Sequence, residues 1–338
     1  MATYKAFEIP EPKKDLKATE RKIEEPAAGQ IRIKVKALGL CHSDVMVQGG
    51  MASSYPRIPG HEIAGIVDAV GSGVTRFKTG DHVGVGWHGK HCSECRPCRQ
   101  GDFICCDNYQ ITALAFDGGY GEYVNVPIES VAKIPEGMDF KEAAPLMCAG
   151  VTVYNGLRHT KTVAGDVVAI QGTGGLGHLG IQFANKMGFH TVAISRGQEK
   201  KEEALKLGAH KYIDTTSEDP AKELQALGGA KVVLSTVTNP AAMSSMIPCL
   251  GKNGTLVVIG VGEGEISTSA APLIMGKLNI QGWASGTPSD SEDTMNFAQL
   301  SGVKSLNEVF PVSKMDEAYK RMLSGKAHFR VVVDWDAK

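Results

Sequence analysis

An α/β chain in two parts, one β-rich and one built on a doubly wound parallel sheet, is what this sequence predicts. Three observations carry that reading. Residues 1–135 hold short runs with apolar side chains at every second position, the period of a half-buried strand. From about residue 143, strand-like runs alternate with helical patterns, as in a parallel sheet with crossover helices. Between one such strand and the next helix lies a glycine-rich turn, Gly172-Thr173-Gly174-Gly175-Leu176-Gly177. At 338 residues the chain also exceeds what a single core usually serves, so two domains are expected.

In chain order, Ile31–Val35, Ile63–Val70, His82–Val85 and Tyr120–Val126 read as strands. The turn formers Gly71-Ser72-Gly73, Thr79-Gly80-Asp81 and Asp117-Gly118-Gly119 punctuate them. In the second part Val167–Ile170, Thr191–Ile194, Val232–Leu234 and Thr255–Ile259 read as strands. Helical patterns follow at Gly175–Met187, Glu199–Leu207 and near Ala241–Met246. After about Gly286 the pattern is mixed, closing on a helix over Met315–Leu323 and a strand over Phe329–Val333. No internal repeat or low-complexity segment interrupts this.

The bulk chemistry narrows the function. With 42% hydrophobic and 22% charged residues the chain is globular, and its net charge of −1 gives no electrostatic case for nucleic acid or an anionic membrane. No apolar run reaches a membrane span, and Met1-Ala2-Thr3-Tyr4-Lys5 does not resemble a signal peptide. A cytoplasmic location is therefore expected, and there the eight cysteines stay reduced. Clustered cysteines then read as metal ligands before disulfides.

Cys92, Cys95, Cys98 and Cys106 follow C-x2-C-x2-C-x7-C, and such short loops let thiolates meet one tetrahedral ion. Four thiolates close the coordination sphere, so a structural zinc is expected. Cys105 beside Cys106 leaves the fourth ligand slightly ambiguous; spacing selects Cys106. Cys249 stands alone and reads as a buried apolar residue.

A second metal set is scattered. Gly39-Leu40-Cys41-His42-Ser43-Asp44 follows the strand Ile31–Val35 where it gives way to a loop, and Gly60-His61-Glu62 comes shortly after. Cys41, His61 and Cys148 are the expected ligands of a catalytic zinc, which keeps a position open for water or substrate. Asp44 is suited to accept a hydrogen bond from His61 and fix its tautomer. Spacing alone proves little here; the set gains weight beside the cysteine ladder and the glycine turn.

That turn has the strand-turn-helix setting that dinucleotide binding requires. Gly172 permits the tight turn, Gly174 lets the backbone approach a pyrophosphate, and Gly177 lets helix pack on strand, with Gly175 and Leu176 completing the cradle. The next strand usually ends in an acid when the cofactor is NAD. Here it ends in Ser195-Arg196-Gly197, with no acid until Glu199. A hydroxyl and a guanidinium suit a 2′-phosphate, which points to NADP(H), with NAD(H) still open. Lys200 and Lys201 are further candidates for that phosphate, or else a solvated helix face.

Together these motifs, with Ala149-Gly150-Val151-Thr152 after Cys148, make the chain resemble the zinc-dependent medium-chain alcohol dehydrogenases along essentially its whole length, closest to the microbial, often tetrameric, branch. The resemblance implies a GroES-like catalytic domain, residues 1–148 and 287–338, with a Rossmann domain over 149–286. It implies that Glu62 binds zinc transiently during ligand exchange and that Ser43 hydrogen-bonds the substrate oxygen. It makes His42 and Arg330 cofactor-phosphate contacts, Thr152 a residue packing on the nicotinamide, and Trp87 a wall of the substrate pocket, the last with core packing as the competing role. It also implies a homodimer or homotetramer. Two positions depart from the pattern. Ser195 replaces the usual acid, and Met46 stands where many members carry a proton-relaying histidine; the relay then runs from Ser43 through the cofactor ribose hydroxyls, or through His42.

The expected reaction is reversible hydride transfer between an alcohol and NADP(H), with zinc as Lewis acid and small alcohols or aldehydes as substrates. The alternatives are an NAD-dependent member, a zinc-independent enone or quinone reductase, and a redox sensor that uses the cysteine ladder as a switch.

Overall fold

The structure is a computed structural model and describes residues 2–337. The chain divides into two compact units. The first runs to Val151 and takes up the chain again over Ser285–Gln299 and from Ser305 onward; the second comprises Thr152–Ala284 and Leu300–Lys304. The expected boundaries were 148/149 and 286/287, so the observed division falls a few residues away at each junction.

The first unit is organised on the strand Gln30–Leu40. Its burial alternates from residue to residue: Ile31, Ile33 and Val35 point into the core, and Arg32, Lys34 and Lys36 point outward. Over Ala37–Leu40 both faces are covered, so this strand runs straight into the site without becoming a loop. The expectation of a loop at Gly39-Leu40 is corrected: the strand extends through Leu40, and a 3-10 turn, His42–Asp44, follows directly. Seven strands make the sheet. In order they are Asn307–Pro311, Arg330–Asp334, Gln30–Leu40, Ile63–Val70, His82–Val85 and Val131–Lys133, with Tyr123–Pro127 also pairing on Gln30–Leu40. Residues from both ends of the chain thus share one sheet: Val332 lies opposite Gly39 and Val331 opposite Leu40. One cluster of buried apolar side chains, including Ile33, Leu38, Ile63, Val85, Tyr120 and Val331, forms its core. Each such side chain contributes about 1.5–3 kcal/mol by leaving water.

The second unit is a six-stranded sheet, all parallel, in the order Lys211–Asp214, His190–Ser195, Val167–Gln171, Ala230–Ser235, Leu250–Val258, Asn279–Gly282. Its central strands are buried along their length, because helices cover both faces of a parallel sheet. That is why Val167–Ile170 and Val232–Leu234 read as unbroken apolar runs. Two strands, Lys211–Asp214 and Asn279–Gly282, lie at the edges, and their mixed composition hid them from periodicity. The largest element missed is the helix Pro288–Ser301, where Ser, Asp and Thr break the apolar stripe. Among the described residues, no helix is long and apolar enough to cross a membrane.

Candidate active site

The first unit carries two groups of metal-competent side chains, each with all ligand atoms within 4.8 Å of one another. One is Cys92, Cys95, Cys98 and Cys106. Cys95 Sγ lies 3.9 Å from Cys106 Sγ, and Cys106 Sγ lies 3.6 Å from Cys92 Sγ. A tetrahedral ion with bonds of about 2.3 Å holds sulfurs about 3.8 Å apart, whereas a disulfide needs about 2.05 Å. Backbone N–H groups turn inward, from Cys95 to Cys92 Sγ at 3.4 Å and from Asn108 to Cys106 Sγ at 3.3 Å. The N–H groups of Glu94 and Cys95 hold Cys92 down to about 6, while burial pushes Cys98 up to about 12. Four sulfurs this close cannot all ionise without a cation among them. Cys105 is exposed and outside the group, which leaves Cys106 as the fourth ligand. Cys249 is buried, and its thiol is pushed up to about 12 by burial.

The other group is Cys41, His61, Glu62 and Cys148. Cys41 stands where the central strand ends, His61 and Glu62 just before the strand Ile63–Val70, and Cys148 in a single π-helical turn, Leu146–Gly150. Cys41 and Cys148, 107 residues apart in sequence, bring their sulfurs to 4.0 Å. The same contact holds the Cys41 thiol well below its usual value and the Cys148 thiol well above it.

Asp44 organises this centre. It is fully buried, and Oδ2 accepts the Cys41 N–H at 3.0 Å, closing the 3-10 turn. Oδ1 lies 2.8 Å from His61 Nδ1, an ion-pair approach that is not aligned as a straight hydrogen bond. With Nδ1 facing the carboxylate, the other ring nitrogen is left over: His61 Nε2 is buried and has no hydrogen-bond partner. A buried nitrogen left bare costs free energy, and a metal ion is the partner this donor set fits. The Trp87 and His61 rings pack edge to face, 4.8 Å between centroids, which covers the imidazole on that side.

Glu62 is set back on an arginine. Its Oε1 pairs with Arg330 Nη2, which also donates to the Leu40 carbonyl at 3.3 Å; Oε2 is buried without a partner. Burial raises the carboxyl to about 7 against the opposing pull of Arg330. Gly39 makes the room, since a Cβ there would meet Glu62 Oε2 at 2.0 Å. Arg330, which the resemblance makes a phosphate contact, is buried with Nη2 engaged by Glu62 and the Leu40 carbonyl, while its buried Nε has no hydrogen-bond partner.

Ser43 is half-buried and His42 exposed on the same turn, with Met46 half-buried just beyond. Sequence reasoning missed Tyr120. It is the largest fully buried side chain, and its hydroxyl donates to Asp44 Oδ2 at 3.0 Å. The two residues lie 76 positions apart, and no local pattern links them.

The second unit holds the glycine turn. Gly172 sits at φ +90°, and a Cβ on Gly177 would lie 1.9 Å from the Gly172 carbonyl oxygen. At Gly174 a Cβ would meet nothing within 4 Å, leaving an open cradle at the start of the helix Gly177–Lys186. That is the space and the polarity a pyrophosphate requires. Thr173 is buried and donates to Ser195 Oγ at 3.2 Å. Arg196, Lys200 and Lys201 are exposed, and Thr152 is buried at the first position of this unit. Glu199 is nearer than sequence distance suggested: a Cβ on Gly197 would lie 2.2 Å from its Oε2.

The alcohol dehydrogenase GroES-like domain matches residues 27–136, and the zinc-binding dehydrogenase domain matches residues 175–300. The chain belongs to the zinc-dependent medium-chain alcohol dehydrogenases. A relative is the alcohol dehydrogenase patD of Penicillium expansum, 44% identical over 98% of both chains. Among solved structures, a Helicobacter pylori CAD complexed with NADP(H) superposes with a TM-score of 0.86 at 28% identity, covering 99% of both chains. A cobalt- and zinc-bound thermostable alcohol dehydrogenase of Pyrobaculum aerophilum gives a TM-score of 0.86 at 27% identity, covering 98% of this chain and 100% of the other. As a medium-chain alcohol dehydrogenase, this protein is an oxidoreductase acting on small alcohols or aldehydes, with a GroES-like and a Rossmann domain.

Proposed function

We propose that this alcohol dehydrogenase uses a catalytic zinc held by Cys41, His61 and Cys148 and works with NADP(H), reducing aldehydes in preference to oxidising alcohols. The observation that carries the metal reading is the bare, buried Nε2 of His61 in the same group as two sulfurs 4.0 Å apart. Two thiolates and a neutral imidazole sum to −2 and balance a divalent ion. Held by Cys41, His61 and Cys148, zinc would supply a Lewis acid that acidifies an alcohol or polarises a carbonyl, and the nicotinamide would supply hydride exchange. Asp44 keeps the His61 ring turned and its Nδ1 protonated. Trp87 shields the imidazole from water and forms part of the substrate pocket. The Ser43 hydroxyl takes the alcohol's proton, and the exposed His42 hands it to water, because Met46 has no titratable group. Glu62, in the same ligand-competent group and paired with Arg330, would serve as the transient zinc ligand. Cys92, Cys95, Cys98 and Cys106 hold a structural zinc.

The NADP(H) reading rests on Ser195 ending its strand in place of an acid, with Arg196 beside it and Lys200 and Lys201 exposed nearby; the NADP(H) complex of the Helicobacter pylori relative supports it. Gly172–Gly177 cradle the pyrophosphate, and Thr152 packs on the nicotinamide. The exposed edge strand Asn279–Gly282 and the helix Ala270–Gly276, which buries none of its residues, support a homo-oligomer, a dimer or a tetramer. Initial rates over a panel of aldehydes test the whole: kcat/KM with NADPH is expected to exceed that with NADH by at least about tenfold, and a chelator is expected to abolish turnover. Parity or an NADH preference overturns the cofactor reading. Turnover that survives complete metal removal favours a zinc-independent reductase.

A further inference from the structure

The loop after the strand His190–Ser195 is tied to its neighbouring strand by an unusual number of side chains. Ser195 and Asp214 are partners across the sheet, and the Thr215 N–H donates to the Ser195 carbonyl at 2.9 Å. Gly197 then sits at φ +77°. Its N–H donates to Asp214 Oδ1 at 2.7 Å, and its carbonyl accepts the Tyr212 hydroxyl at 2.7 Å. Both backbone groups of Gly197 are therefore occupied by side chains of the edge strand Lys211–Asp214.

Asp214 is nearly fully buried at 3% exposure, which is costly for a carboxylate unless its oxygens are filled. They are. Oδ1 also accepts the Thr216 N–H at 2.9 Å and the Thr216 hydroxyl at 2.7 Å, and Oδ2 accepts Gln198 Nε2 at 2.9 Å. From the other side Thr173, in the glycine turn, donates to Ser195 Oγ. The segment Ser195–Gln198 is thus held at three points. In a doubly wound sheet this segment reads the adenosine ribose. A long, exposed arginine recognises an anion well only when its backbone is already in place.

We propose that Asp214 and Tyr212 are positioning residues for cofactor selection: they fix the Ser195–Gln198 backbone so that Ser195 and Arg196 meet the 2′ group of the adenosine ribose. This rests on the NADP(H) reading above. It assigns a selecting role to a strand that touches neither the pyrophosphate turn nor any expected metal ligand.

Calorimetric titration of the metal-replete protein with adenosine 2′,5′-diphosphate and with 5′-AMP tests it, because the two ligands differ only in the 2′-phosphate. The wild type is expected to bind the diphosphate at least about tenfold more tightly. Asp214→Ala is expected to cut that ratio to about two while 5′-AMP binding stays within about twofold. Asp214→Asn keeps one acceptor oxygen for Gly197 and Thr216, and is expected to retain most of the ratio. Tyr212→Phe is expected to lower it about threefold. An Asp214→Ala protein that keeps the full ratio, or loses both ligands equally, overturns the proposal. A wild type with no preference overturns the NADP(H) reading and the proposal with it. Where Asp214→Ala fails to fold, Tyr212→Phe decides: a lowered ratio sustains the proposal, and an unchanged one overturns it.

Discussion

The two cysteine centres of the first unit are built on opposite plans. The ladder draws all four sulfurs from one stretch, Cys92 to Cys106, 14 positions apart at its ends. The other centre joins Cys41 to Cys148 across 107 positions and adds an imidazole from a third element. Closing a short loop around an ion costs little chain entropy, so the ladder needs only its own turns. The second centre exists only after the seven-stranded sheet has formed. The first plan fills a coordination sphere with four sulfurs and suits stability. The second leaves a ligand set incomplete and suits chemistry. Its buried supports, Asp44 behind His61 and Tyr120 behind Asp44, are what the ladder lacks.

The comparison breaks most sharply at Cys41→Ser. Turnover is expected to fall by about a thousandfold or more, with one zinc lost per chain and the melting temperature nearly unchanged. Initial rates, metal analysis and calorimetry check it; retained turnover would remove the catalytic assignment. Cys95→Ser should give the converse. Its melting temperature is expected to drop on the order of 10 °C, equivalent to about 3 kcal/mol, while the folded fraction keeps most of its kcat. A Cys95→Ser protein that is stable but inactive would erase the distinction between the centres. Tyr120→Phe sharpens it most finely. Removing one buried donor leaves Asp44 Oδ2 with the Cys41 N–H alone, costing about 1–2 kcal/mol of stability. Turnover is expected to fall about threefold and zinc affinity to weaken, both measurable by competition with a chelator.

Legibility in the sequence followed the range of the interaction. The helix Met315–Leu323 and the strand Ile63–Val70 have the bounds that periodicity predicted. The edge strands Lys211–Asp214 and Asn279–Gly282 went unseen: the first is buried but only four residues long with Lys and Asp at its ends, and the second is largely exposed, so neither carries an apolar alternation. The helix Pro288–Ser301 was missed for its polar face. At the site, Cys41, His61 and Cys148 were named in advance, partly through the resemblance. The Glu62–Arg330 pair, 268 positions apart, was not, and neither was the seat that Gly39 makes for Glu62.

The sequence by itself determined the two classes of sheet, the cysteine ladder and the glycine turn, because each depends on residues close together in the chain. Only the tertiary structure decided that Asp44 serves Cys41, His61 and Tyr120 at once, that Arg330 answers Glu62, and that Asp214 holds Gly197. Those contacts join residues that chain connectivity leaves apart, and burial supplies the force that selects them. A polar group removed from water must find its partner wherever the fold places one.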